Sequence, residues 1–142
     1  DEALAAFEAR YGTDPLVMDK WFMIQAGVPG PQTVETVRRL TAHRAFSMVN
    51  PNRVRALIGS FANANQTGFH RADGEGYRFF AEMVLEAERR NPQLAARLAT
   101  AMRSWRSLEA GRREKARAAL LAIAGAENLS TDLRDIVERI LT

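Results

Sequence analysis

Apolar residues recur along this chain at helical spacing, and each recurrence opens on a recognisable start signal. Asp14-Pro15 is followed by an apolar run of Leu16, Val17, Trp21, Phe22 and Ile24, which Gly27 to Pro31 breaks. Pro31 opens a second helix with Val34, Val37 and Leu40 inward. His43 to Met48 reads as a short helical turn burying Phe46 and Met48. Asn50-Pro51 begins the next helix, whose Val54, Leu57, Ile58 and Phe61 make one apolar stripe. The polar, glycine-containing stretch from Asn63 to Ala72 reads as a loop. Asp73 can cap a helix carrying Tyr77, Phe80, Met83, Val84 and Leu85. Asn91-Pro92 starts another with Leu94, Leu98, Met102 and Trp105; Glu109 to Ala124 follows with Ala116, Leu120 and Ile123 inward, ended by Gly125. Ser130 caps a last helix that buries Leu133, Ile136, Val137 and Ile140. Residues 1–11 (Leu4, Phe7, Tyr11) read as the end of a helix with Gly12 at its C′ position. No stretch alternates with the period of a strand.

The starts share a physical device. A short side chain at the N-cap accepts from a free backbone N–H of the first turn. Proline at the first helical position lacks only an N–H that would have no partner, and its φ suits the helix. Asp14-Pro15, Asn50-Pro51, Asn91-Pro92 and Ser130-Thr131 recur roughly every 40 residues, with room for one further helix between successive starts. That recurrence predicts an all-α chain of antiparallel helix pairs stacked into a HEAT- or armadillo-like superhelix. An irregular all-α bundle satisfies the same periodicity.

Composition narrows the chemistry. The chain has 142 residues, enough for one domain with a real core, so residues 1–142 read as a single α-helical domain. It has no cysteine, which excludes disulfides and a thiolate zinc site and fits a reducing compartment. No apolar run approaches the length of a membrane span. The first residues, Asp1-Glu2-Ala3-Leu4, show no signal-peptide pattern and no starting methionine, and open inside a helical pattern. The chain therefore reads as a piece of a longer protein. Net charge is +3, and arginines dominate the basic residues. They are interspersed with acids, as at Glu86, Glu88, Arg89 and Arg90, which is the pattern of solvated helix faces, not of a nucleic-acid stripe.

No self-contained catalytic set is visible. His43 and His70 have no second histidine within helical reach, so neither belongs to a zinc motif. His70 follows Phe69 and reads as a hydrogen-bonding residue; Trp21, Phe22 and Trp105 read as core. Gly74-Glu75-Gly76 reads as a helix start and not as a phosphate loop, and the serines lack a nucleophile elbow. The anomaly is Asn50-Pro51-Asn52-Arg53-Val54-Arg55. Arg53 and Arg55 lie near the positive end of the helix dipole, which costs about 0.3–1 kcal/mol per exposed charge. Two arginines there either bind an anion such as a carboxylate or are solvated or paired with acids elsewhere.

Several stretches, taken together and in order, resemble the C-terminal domain of the bacterial aminopeptidase N family. They are Leu16-Val17-Met18-Asp19-Lys20-Trp21-Phe22, His43-Arg44-Ala45-Phe46-Ser47-Met48, the run from Asn50 to Gly59, Phe69-His70 with Asp73-Gly74-Glu75-Gly76-Tyr77, Arg90-Asn91-Pro92-Gln93 with Arg97, and Glu127-Asn128-Leu129-Ser130. Departures fall in Asn63–Thr67 and around Gly27–Gln32. The resemblance implies a parent hydrolase, a zinc-dependent gluzincin that removes N-terminal residues from peptides in the cytoplasm. It places the zinc motif and the amine-binding motif in an upstream domain. This chain would itself be non-catalytic and hold neither cofactor nor metal. It would cover the catalytic domain of the same polypeptide, close the substrate chamber, and turn arginines towards the peptide. Carried over by motif, the substrate-binding residues would be Arg55, Arg97 and Gln93, while Arg53 would brace the fold. The alternatives are a free-standing helical-repeat interaction module and, less in keeping with the charge pattern, a basic module for nucleic acid.

Overall fold

The computed structural model describes residues 14–142, so the expected helix over residues 1–11 and its Gly12 end lie outside the described residues. The regular elements of the described residues are all helices, with no strand among them. In chain order they form α1 (Pro15–Ala26), α2 (Thr33–Leu40), α3 (Pro51–Val54), a π-helical turn (Arg55–Gly59), α4 (Ser60–Ala64), α5 (Gln66–Phe69), α6 (Glu75–Glu88), α7 (Pro92–Ala99), α8 (Ala110–Ala124) and α9 (Thr131–Leu141). Short 3-10 turns at Thr100–Met102 and Trp105–Ser107 lie between α7 and α8. α3, the π turn and α4 run end to end as one central helix.

The predicted caps form as the residue types require. Asp14 Oδ1 accepts from the N–H groups of Leu16 and Val17. Asn50 Oδ1 accepts from Arg53 N at 3.2 Å, Asn91 Oδ1 from Leu94 N at 3.1 Å, and Ser130 Oγ from Leu133 N at 3.1 Å. Each such cap stabilises its helix by about 1 kcal/mol. α1 and α2 pack against each other and against the central helix and α6, respectively. Residues 89–91 turn the chain back so that α6 packs on α7, and α9 closes over α7 and α8. Val54, Leu57, Ile58 and Phe61 are completely buried, as their spacing predicts. Around Phe61 the rings of Phe69, Tyr77, Phe79 and Phe80 meet edge to face, with centroids about 5–6 Å apart.

Several local expectations are corrected. α2 begins at Thr33, because Pro31 and Gln32 form a turn that Thr33 Oγ1 closes by donating to Val28 O at 2.5 Å. Residues 43–48 are turns and not a helical turn, since His43 Nδ1 takes the Ala45 N–H; Phe46 is buried but Met48 only half so. The stretch read as a loop contains α5, capped by the buried Asn65, whose Nδ2 also donates to Ala26 O and Val28 O. Trp21 and Phe22 are buried as expected, with Met18 and Ala26 beside them, but Leu16 and Ile24 of the same run are 81% and 60% exposed. Met83, Leu85, Ile136 and Ile140 pack only partly buried, and Trp105 sits on a 3-10 turn, its Nε1 donating to Ile140 O at 2.9 Å. Among the described glycines, Gly76 permits the closest approach: a Cβ there would lie 2.1 Å from the carbonyl oxygen of Phe69.

Candidate functional site

The central helix separates its two arginines. Arg53 is buried against α1; its Nε donates to Asp19 Oδ1 at 2.6 Å, Nη1 donates to the Ala45 carbonyl, and the guanidinium lies 5.6 Å from the Phe22 ring centroid. The unfavourable position near the helix start is thus offset by Asp19, 34 residues away in sequence. Arg55, two residues on, is exposed, and its Nη2 donates to Asn52 Oδ1 at 2.6 Å.

The π turn begins at Arg55. The Ser60 N–H bonds back to Arg55 O, five residues earlier, which gives this turn one residue more than an α-turn. The central helix is buried on almost every side here: Val54, Ala56, Leu57, Ile58, Gly59, Phe61 and Ala62 are all buried. What remains open is a narrow polar strip. Arg55, Ser60 and Asn63 on that strip line one depression of about 330 Å³ with Gly59 and Ala64. Leu94, Arg97 and Leu98 of α7 form its other wall. Gly59 lies between the two walls, where a Cβ would meet Arg55 Cβ at 3.8 Å and Leu98 Cδ2 at 3.9 Å, both ordinary contact distances.

The structure therefore brings Arg55 and Arg97 to one cleft from different helices. Gln93 is exposed on α7 one turn before Arg97 and is not among the residues lining the depression. Neither arginine has a carboxylate partner among the described residues. This contrasts with Arg38, Arg71, Arg78 and Arg112, each of which pairs with a glutamate or aspartate. Two unneutralised guanidinium groups over an apolar floor attract an anion, and planar carboxylates match their forked donors. No sequence signal assigns Ser60 and Asn63 to the site; they share it with Arg55 across the π turn.

A larger depression of about 680 Å³ lies near His70, Arg71, Asp73, Glu109 and Arg112. Its charges are already satisfied. Arg71 pairs with Glu35 and Asp73, while Arg112 pairs with Glu109 and donates through Nε to His70 O at 2.6 Å. His70 Nδ1 is 2.7 Å from the Tyr77 hydroxyl. Burial pushes the Tyr77 phenol up to about 12, and burial together with the Arg112 charge pulls His70 below its usual value. Tyr77 therefore keeps its proton, and its hydroxyl shares one hydrogen bond with His70 Nδ1, whose direction follows the imidazole tautomer. This network ties α5, α6 and α8 together and leaves His70 the hydrogen-bonding residue its context predicts. Glu88, read as a solvated acid, instead accepts from Ser130 N and Oγ at 2.7 and 2.8 Å, joining α6 to the start of α9.

Among the described residues no three histidine, aspartate or glutamate side chains come together to hold a metal ion. The described residues therefore offer no donor set that fits a zinc ion. Among the same residues no helix is long and apolar enough to cross a membrane.

Stacked helix pairs with a ligand-sized cleft on one exposed strip define a helical-repeat domain. The chain belongs to the family described as a domain of unknown function (DUF3458_C) with ARM repeats, which it matches over residues 1–142. It is 45% identical over 141 residues to aminopeptidase N of Escherichia coli (strain K12) and 41% identical to aminopeptidase N of Haemophilus influenzae. The protein of that name from Caulobacter vibrioides is 39% identical. Each match covers 99% of this chain and 16% of the relative, so the chain spans about a sixth of the length of these proteins. A crystal structure of Legionella pneumophila aminopeptidase A in complex with aspartic acid superposes with a TM-score of 0.93 at 34% identity, again over 99% of this chain and 16% of that one.

Proposed function

We propose that this chain is the C-terminal, non-catalytic domain of a cytoplasmic zinc aminopeptidase that removes N-terminal residues from peptides. In this reading the catalytic domain and its zinc lie elsewhere on the same polypeptide. The domain caps that catalytic domain and closes the peptide chamber. Arg55 and Arg97 hold the C-terminal carboxylate of the peptide, and Gln93, at the rim, reaches a main-chain group. The observation that carries the reading is the pair of arginines without acidic partners, presented by two helices to one cleft. The names of the relatives supply the activity class.

The outer face of α1 supports the docking half of the proposal. Leu16, Met23 and Ile24 are exposed along it, opposite the buried Met18 and Phe22. A helix that is apolar on both faces is one covered on both faces. A free-standing interaction module, the second reading, would use the same face for a separate partner.

The test compares the 142-residue chain with the longer protein encoded around it. The isolated chain is expected to hydrolyse no aminoacyl fluorogenic substrate and to retain no stoichiometric zinc after dialysis, while the longer protein does both. Hydrolysis by the pure isolated chain would overturn the assignment, as would a longer protein without zinc or peptidase activity.

A further inference from the structure

We propose that Ser60 and Asn63 extend the arginine cleft into a subsite for the extended main chain of the peptide, so that the cleft reads backbone as well as carboxylate. This rests on the reading that the cleft receives the carboxyl end of a peptide.

Three observations carry it. First, Ser60 and Asn63 line the same depression as Arg55 and Arg97. Second, their polar groups are not used up by the fold. The Ser60 hydroxyl has no hydrogen-bond partner among the described residues, although a half-buried helical serine commonly bonds back to its own helix. Asn63 donates through Nδ2 to Gly59 O at 3.0 Å. A carbonyl oxygen can only accept, so that bond fixes the amide and leaves Asn63 Oδ1 as an outward acceptor. Third, both are weaker helix formers than alanine, close in sequence to the buried Gly59, Phe61 and Ala62. Packing alone gives no reason for them.

The dimensions suit a short peptide. Arg55 and Asn63 are separated by about 12 Å of helix, which an extended chain at about 3.3 Å per residue covers in three to four residues. With the terminal carboxylate on Arg55 and Arg97, Ser60 Oγ–H donates to a peptide carbonyl and Asn63 Oδ1 accepts a peptide N–H. Leu94 and Leu98 give an apolar wall without a polar group to select a side chain. The class of ligand is thus a short, extended peptide with a free C-terminus and little restriction on its last side chains.

The experiment is a titration of the ¹⁵N-labelled 142-residue chain with trialanine and with its C-terminal amide, followed by NMR. Trialanine should shift the amide signals of Arg55, Ser60, Asn63 and Arg97, and bind more tightly than the amide. The Ser60→Ala/Asn63→Ala double variant should weaken binding of acid and amide alike, by about threefold to tenfold, the loss of one or two neutral hydrogen bonds. Ser60→Thr, which keeps the hydroxyl, should restore part of that. An acid-over-amide preference with no change in the double variant would overturn this subsite while leaving the carboxylate reading intact. Equal binding of acid and amide, both weakened in the double variant, would do the reverse. Absence of any shift into the tens of millimolar would overturn both.

Discussion

Replacing Arg53 with methionine should cost the fold far more than the same change at Arg55, two residues along the same helix. Methionine keeps the aliphatic stem of arginine, so the change removes mainly the guanidinium. At position 53 that removes a charge-assisted bond of 2.6 Å to Asp19, the donor to the Ala45 carbonyl, and the cation over Phe22. The Arg53 side chain is only 9% exposed and that of Asp19 19%, so the orphaned carboxylate is poorly placed to recover water. Removing one partner of a buried pair costs roughly 3–5 kcal/mol. Some water reaches Asp19, which puts the expected loss near the lower end, about 3 kcal/mol. Against a total stability of about 5–15 kcal/mol this is a large fraction. At position 55 the guanidinium is exposed and bonded to an exposed amide, and the change should stay within about 0.5 kcal/mol. Urea unfolding of the 142-residue chain, followed by circular dichroism at constant m, measures both. An Asp19→Asn/Arg53→Met cycle should return a coupling of about 1 kcal/mol or more. Arg53→Met within 0.5 kcal/mol of wild type, or equal losses at both positions, would refute the division of the two arginines into brace and ligand contact.

Three further substitutions test the packing. His70 has its pKa lowered by burial and by Arg112, so an unfolded chain takes up its proton first as pH falls. The stabilisation is complete above the unfolded value of 6.5 and is lost as pH falls through the lower folded value. His70→Gln, which still offers Tyr77 an acceptor, should flatten this acid limb in urea titrations between about pH 7.5 and 5; identical slopes would contradict the assignment. Gly76→Ala should destabilise by about 3 kcal/mol or more, because its Cβ would overlap the Phe69 carbonyl. Gly59→Ala meets only ordinary contacts and should stabilise by about 0.5–1 kcal/mol, read as opposite shifts in Tm.

What was legible in the sequence was what is local. The caps at Asp14, Asn50, Asn91 and Ser130 act within three residues, so residue type and spacing were enough to locate them. The stripe Val54, Leu57, Ile58 and Phe61 needed only the helical period. The family resemblance singled out Arg55 and Arg97, and the structure places both on one cleft. What escaped is long-range or cooperative. Asp19 reaches Arg53 across 34 residues and Glu88 reaches Ser130 across 42, and no local pattern encodes either pair. The π turn depends on how the central helix packs, so Ser60 and Asn63 could not be assigned to the cleft beforehand. Leu16 and Ile24 obey the helical period yet are exposed, because periodicity reports that a residue is apolar and not which surface covers it.

The central claim is that Arg55 and Arg97 jointly hold a peptide carboxylate. Its most direct test is kcat/KM of the longer protein for a tetrapeptide and for the same peptide with a C-terminal amide, before and after Arg55→Ala/Arg97→Ala. Wild type should favour the free acid, and the double variant should lose that preference by about 10- to 100-fold, the worth of a charge-assisted hydrogen bond or two. The amide should be turned over by both proteins at similar rates. An acid-to-amide ratio unchanged by removing both arginines would contradict the claim.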